Sequence, residues 1–385
     1  MVEIISTTLN RLYKYCQMEN YQGWGNFDGL SSKVFRKTPF YKSSFFRLVW
    51  TQFFKRSPVN FRRLALVPKN YNTKGLGLFA SGLILRDDYE EAEFLLNILK
   101  KLVCSEYSGM SWGYDFDWQT RSGYTPAGVP TIVATVFVAN AFLDYFNKTK
   151  GVAYLEVAKK ASEFIIENLV LFENNRTLCF GYYPGNKVRV HNANMLGASF
   201  LARVYQITRD PIYFEKSQKA MTYSIQALNP DFSWVYGDSK YQKFIDNFHT
   251  GFNLVALLGW MKYTNETCWG ETLKKAYNYF LSTFWLNNGC PKYYHNSLYP
   301  IDIHCSAQGI VTCLKLSEYH GKSLPFAFKI AKWAIDNMLD SKGFFYYQKT
   351  RFFTNKIPYI RWSQAWMFYA LSLLEKVYLN KHAPT

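Results

Sequence analysis

The chain has 385 residues, almost half of them apolar, with 30 Tyr, 32 Phe and 11 Trp, enough for a large buried core. Its net charge of +17 is uneven: Lys33 to Lys74 holds eleven Lys and Arg and no Asp or Glu, leaving +6 for everything else. No apolar run is long enough to cross a membrane, and the start MVEIISTTLNRLYKYC lacks the apolar core of a secretory leader. Seven scattered cysteines without a CxxC pair fit reduced thiols better than a disulfide framework or a zinc site. A soluble cytoplasmic chain is expected, with no metal and no organic cofactor.

Residues 1–20 read as a helix with Ile4, Ile5, Leu9, Leu12 and Tyr13 on one face. A second helix is predicted over 43–55, ended by Pro58. The basic, aromatic stretch 33–74 around it is a candidate face for an anionic membrane surface or for membrane assembly proteins. No nucleic-acid motif accompanies the charge, so nucleic acid is not an expected partner. From Gly75 the pattern settles into helix pairs: 75–86 with 88–104, 130–147 with 152–169, and 192–208 with 211–228. Then come 248–263 with 270–285, 304–319 with 324–339, and a lone 362–380, with Gly, Pro, Asn and Asp at the breaks.

Aligning the first helix of each pair places Thr131, His191, His249, His304 and Arg361 at intervals of 60, 58, 55 and 57 residues. That is the spacing of a repeated helical hairpin. The loops ahead of these helices echo one another as SWGYDFDW, CFGYY, SWVYG, CPKYY and GFFYY, which predicts a short strand or hairpin before each inner helix. Five hairpins and a final helix lack one partner, which a helix of the N-terminal segment can supply. The predicted fold is therefore an all-α (α/α)6 toroid. Residues 1–74 form a basic N-terminal helical segment that packs on the ring and closes it, residues 75–385 form the ring, and the whole is effectively one domain.

Closure gathers equivalent positions of every repeat at one mouth. The candidate catalytic residues there are His249, His304, Tyr293, Asp246 and Asp302, with His and Tyr available for proton transfer. The candidate substrate-binding residues are Trp112, Asp115, Asp117, Trp118, Tyr182, His191, Asn192, Asn194, Lys292, Tyr294, His295, Gln308, Arg361 and Trp362. Aromatic faces stack on pyranose rings, amides pair with hydroxyls, and helix N-termini favour an anionic ligand. Asp115 and Asp117 flank Phe116, so a strand would aim both carboxylates to one side; the other reading is a turn. Carboxylates in separate repeats leave a hydrolase open, but the kit is richer for epimerisation or elimination on a uronate. In that chemistry Arg361 and the asparagines offset the carboxylate and His or Tyr moves the proton.

The segments WGYDFDWQ, VRVHNANMLGA, DNFHTGF, PKYYHNSLYPIDIHCSAQ and IPYIRWSQAWMFYAL resemble bacterial six-hairpin (α/α)6-toroid proteins associated with capsular and exopolysaccharide biosynthesis. The likeness runs from about residue 57 to 377 and extends distantly to unsaturated glucuronyl hydrolases and N-acylglucosamine 2-epimerases. It implies a polysaccharide connection and a cytoplasmic place; the helix N-termini make the expected partner an acidic oligo- or polysaccharide, and the basic stretch 33–74 adds a place peripheral to the inner face of the membrane. It transfers no catalytic residue. A six-hairpin glycoside hydrolase and a non-catalytic polysaccharide-binding module remain the alternative readings.

Overall fold

Two kinds of helix alternate along the chain, one apolar on nearly every side and one amphipathic, and this alternation builds two concentric layers. The computed structural model describes residues 2–121 and 123–382; the tips of the predicted spans, at residue 1 and residues 383–385, lie outside them. The helices are α1 (Val2–Met18), α2 (Lys33–Arg36), α3 (Ser44–Arg56), α4 (Thr73–Leu85), α5 (Tyr89–Lys101), α6 (Ile132–Thr149) and α7 (Val152–Asn168). They continue as α8 (His191–Thr208), α9 (Pro211–Gln226), α10 (Asn247–Thr264), α11 (Gly270–Thr283), α12 (Ile303–Lys315), α13 (Ser323–Met338) and α14 (Trp366–His382).

The inner layer is α4, α6, α8, α10, α12 and α14, each packed on the next, with α14 returning to α4. The ring is closed, and the fold is an (α/α)6 toroid. Outside it lie α5, α7, α9, α11, α13 and α1, the last against α14. That contact is antiparallel: the Ser6 hydroxyl donates to Glu375 at 2.6 Å, and Tyr13 meets Phe368 at a ring separation of 5.6 Å.

Each inner helix starts at a defined cap. Asn72, Thr131, Asp246 and Asp302 accept a backbone N–H of the first turn with their side chains. Val190 and Tyr359 hold the equivalent positions without side-chain caps. The six caps are spaced 59, 59, 56, 56 and 57 residues apart, so the repeat is more regular in space than the alignment of polar side chains suggests. The last inner helix enters through a π-helical turn, Ile360–Ala365. Short antiparallel pairings precede several inner helices, as at Trp118–Gln119 with Tyr124–Thr125 and Val170–Glu173 with Leu178–Phe180.

The basic stretch is only partly a solvated face. Arg36 pairs with Asp117, Lys69 with Glu19, and Arg47 bonds Gln119 and two backbone carbonyls. Arg62 is buried, donates to Asp28 at 2.7 Å and to the Gly25 carbonyl, and lies over the Tyr359 ring at 4.8 Å. It ties the N-terminal segment to the cap of the last inner helix. Arg62→Ala strands the Asp28 carboxylate in the core, and is expected to cost about 3–5 kcal/mol in urea denaturation.

Candidate active site

The second residue after each inner cap turns toward the axis. These are Lys74, Val133, Asn192, Phe248, His304 and Arg361, and all six line one cavity of about 200 Å³ at the mouth formed by the inner-helix N-termini. Aromatic loops complete the wall with Phe27, Tyr114, Phe116, Trp118, Tyr182, Tyr236, Phe244 and Tyr293, while His249 and Trp362 enter one position further along their helices. No Asp or Glu is among the residues lining it. Among the described residues, no cluster of three or more His, Cys, Asp or Glu is placed to hold a metal ion.

Two histidines differ in setting. His249 stands three residues after Asp246, so the cap carboxylate accepts both its backbone N–H and its ring Nδ1, the latter at 2.7 Å. That bond leaves Nε2 free of Asp246, and the carboxylate is placed to stabilise positive charge when Nε2 takes a proton. His304 is buried among Phe248, Trp362 and Trp366, with ring separations of 4.5–4.7 Å. Neither of its ring nitrogens has a hydrogen-bond partner. Burial, with Lys74, Arg361 and His249 adding like charge, holds its pKa well below the usual imidazole value. Its charged form is disfavoured, and both nitrogens are open to a ligand.

Arg361 is buried and, among the described residues, carries no carboxylate partner. Its guanidinium lies 5.0 Å from the Tyr114 ring and 5.4 Å from Trp362, touches Asn26 at 3.4 Å, and leaves Nε unpaired. The Asn192 Oδ1 is likewise buried and unpaired. A cation with its Nε unpaired and an amide oxygen without a donor, facing one space, are suited to an anionic ligand rich in hydroxyls.

The carboxylates sit behind this surface. Asp302 accepts from His304 N, Trp362 Nε1 and Gln348 Nε2, and burial raises its pKa to about 6. Asp115 accepts from Asn72 Nδ2 at 2.6 Å and is pushed by burial to about 6. Asp117 points elsewhere, to Arg36, Tyr41 and the Ala127 amide. Residues 115–117 bend instead of forming a strand, so the two aspartates share no face. A tyrosinate base also fails: burial, with Asp246 and Asp302 adding, lifts Tyr293 well above the usual phenol value, and Tyr182 is raised by burial too. The wall tyrosines pack on other rings, Tyr114 stacking on Phe116 and Tyr236 on Phe244.

Of the predicted residues, Trp118, Tyr182, Asn192, His249, Tyr293, His304, Arg361 and Trp362 line the cavity, with Asp246 and Asp302 just behind it. Others lie elsewhere. His191 is the first residue of α8, not the second, and turns outward to Ser224 at 3.3 Å. Asn194 ties α8 to α9 through the Ala220 carbonyl and Ser224. Lys292, Tyr294 and His295 belong to the loop beyond the wall, His295 Nδ1 lying 3.3 Å from the Ile245 carbonyl. Gln308 lies deeper on α12 and faces a second cavity of about 360 Å³, lined by more C-terminal parts of the inner helices. Trp112 is fully buried, stacks on Phe142 and donates to the Leu99 carbonyl. Trp112→Ala is therefore expected to cost about 3–5 kcal/mol of stability in urea denaturation, the effect of a core cavity rather than of lost ligand stacking.

Lys74 is the main residue that sequence reading missed. Its Nζ lies 4.3, 5.1 and 5.2 Å from the ring centres of Phe137, Trp366 and Phe252, at the layer separating the two cavities. Carrying the repeat one interval upstream of Thr131 would have reached it. Tyr236 and Phe244 were hidden among loop aromatics.

No family model matches this sequence, and no curated protein matches it either. Solved structures do resemble it in fold. The cellobiose 2-epimerase of Bacillus thermoamylovorans B4167 superposes with a TM-score of 0.63 at 13% identity, over 82% of this chain and 90% of that one. An unsaturated glucuronyl hydrolase specific for heparin gives 0.62 at 12% identity, over 99% of this chain and 97% of that one. A GH76 α-mannanase of Bacteroides thetaiotaomicron gives 0.58 at 14% identity, over 80% and 86%. At such identities the likeness defines the architecture: this chain shares the six-hairpin toroid of these enzymes.

Proposed function

We propose that the protein is a carbohydrate-active enzyme acting on an acidic, uronate-containing saccharide by histidine-mediated proton transfer, as an epimerase or a lyase. The observation that carries this reading is the division of side chains at the cavity: Arg361 with its Nε unpaired, His304 and His249 face the space, while the nearby carboxylates, Asp246 among them, lie behind it. Arg361 would hold the substrate carboxylate and draw charge from it, making the proton on the adjacent carbon, C5, easier to remove. His249 is the base we assign, with Asp246 offsetting the charge it gains; His304, uncharged, would bind or relay at a sugar hydroxyl. Trp118, Trp362 and the wall tyrosines offer flat faces for one sugar unit. The printed names of the structural neighbours, among them a 2-epimerase and a glucuronyl hydrolase, support a saccharide substrate.

Most glycoside hydrolases use two carboxylates flanking the bond they cleave, and none lines this cavity. The test is NMR of the protein with uronate oligosaccharides in D2O. Deuterium at C5 of an intact chain, or unsaturated ends, is the expected result. New reducing ends without exchange would overturn it in favour of hydrolysis, and binding without any reaction would favour a binding module.

The setting we propose is capsular or exopolysaccharide biosynthesis at the cytoplasmic side of a membrane, on the strength of the motif resemblance and of one surface. Phe40, Phe45, Phe46, Val49 and Phe53 are exposed on and beside α3, next to exposed Lys37, Lys42 and Arg56. Such a face suits anionic lipid. Sedimentation with phosphatidylcholine vesicles is expected to need added phosphatidylserine, to weaken with salt, and to fall roughly tenfold when Phe45 and Phe46 become Ser. Equal binding to both vesicle types, or none, would remove this part of the proposal.

A further inference from the structure

Lys74 stands out among the buried ionisable groups. It sits on the second residue of α4, lines the cavity, and among the described residues no hydrogen bond or ion pair reaches its Nζ. A charged ammonium left so deep without a carboxylate is costly. Three ring faces surround it, and the groups on neighbouring helices that face the same space are Arg361, His304 and His249, none of them acidic. Burial lowers its pKa well below the usual amine value, and the charge of Arg361 lowers it further. Desolvation beside another cation is the arrangement that turns a lysine into a nucleophile near neutral pH.

We propose that Lys74 captures the open-chain carbonyl of a reducing sugar as an imine. The Nζ lone pair attacks the carbonyl carbon, the C=O bond gives way to C=N, and both amine hydrogens leave with the oxygen as water. No oxidant or reductant is consumed. Once protonated, the C=N nitrogen withdraws electrons more strongly than the parent carbonyl and acidifies the proton on the next carbon, within the cavity that His249 and His304 share. The rings of Phe137, Phe252 and Trp366 then face the cationic iminium, a role that suits their electron-rich faces. The inference rests on the reading of the cavity as a saccharide site, and it adds a requirement: the substrate presents a free reducing end beside its carboxylate.

The experiment incubates the full-length protein at pH 7 with D-glyceraldehyde, and separately with D-glucuronic acid, in the presence of sodium cyanoborohydride, followed by peptide mapping. An ordinary lysine is neutral only to roughly one part in a few thousand at this pH. A neutral Lys74 should therefore gain the reduced adduct about 100-fold or more faster than surface lysines, and the site-specific adduct should vanish in Lys74→Met. Adducts spread over surface lysines, with the Lys74 peptide unmodified, would overturn the proposal. The proposed reaction is read separately: C5 exchange without a Lys74 adduct sinks the imine and leaves the uronate chemistry standing, whereas a Lys74 adduct without exchange does the reverse.

Discussion

Asp246→Asn should fold as stably as the parent and turn over a uronate substrate roughly 10²–10⁴-fold more slowly. The reason is that Asp246 has two separable duties. As the cap of α10 it accepts the His249 backbone N–H at 2.9 Å, which an asparagine oxygen does nearly as well. As the partner of the His249 ring it supplies a negative charge at 2.7 Å, which an amide cannot. The variant thus separates scaffold from chemistry, and unfolding curves alongside C5 exchange rates read the two independently. Unchanged exchange would remove His249 from the mechanism and return attention to His304. Equal losses of stability and activity would show that the pair is structural.

Lys74→Met is expected to move in the opposite direction on stability, and this is the largest gain foreseen for any single replacement. In the unfolded chain the amine carries its ordinary charge; in the folded ring burial, and then Arg361, disfavour that charge. Holding the amine where its charge is disfavoured costs stability, which methionine avoids while filling the space between Phe137, Phe252 and Trp366. The sign follows from proton counting: between the lowered folded value and the ordinary unfolded one, only the unfolded state binds the proton, so parental stability rises with pH. The advantage of Lys74→Met should accordingly be smaller at pH 9 than at pH 7. Urea denaturation of both proteins at the two pH values checks this. A variant less stable than the parent at pH 7 would mean that the ring box holds a charged ammonium comfortably. Loss of turnover together with a gain in stability marks a site whose strain serves its chemistry.

The sequence carried the architecture well because helix punctuation is local. Asp210–Pro211 and Asp246 mark starts, and left-handed Lys150, Arg209 and Asn265 mark ends, so the predicted inner and outer helices fall close to those observed. What it obscured was rotation. Aligning His191, His249, His304 and Arg361 as equivalents places them at the first, third, second and second residues of their helices. One residue is about 100° around a helix, so His191 turns away to Ser224 while Asn192 faces the axis. The caps would have set the register, yet Val190 and Tyr359 bear no capping side chain and conceal it. Lys74 was absorbed into a run of like charges whose members have unrelated fates. Arg62 is buried against Asp28, Arg36 pairs at the surface, and Lys74 is enclosed by rings. In the first aromatic loop, composition could not distinguish Trp112, locked beneath the loop, from Trp118 in the cavity wall.

The closed contact between α1 and α14 has a consequence for connectivity. Because Ser6 meets Glu375 and Tyr13 meets Phe368, the first and last helices run antiparallel, and the start of α1 lies on the same side of the ring as the end of α14. Every inner helix keeps the same two neighbours whichever hairpin comes first in a cyclic shift, so the point at which the ring is opened is arbitrary with respect to the fold. A circular permutant joining α14 to α1 through a short flexible linker, with new ends opened in the exposed α8–α9 turn at Arg209–Asp210, should assemble the same six-membered floor.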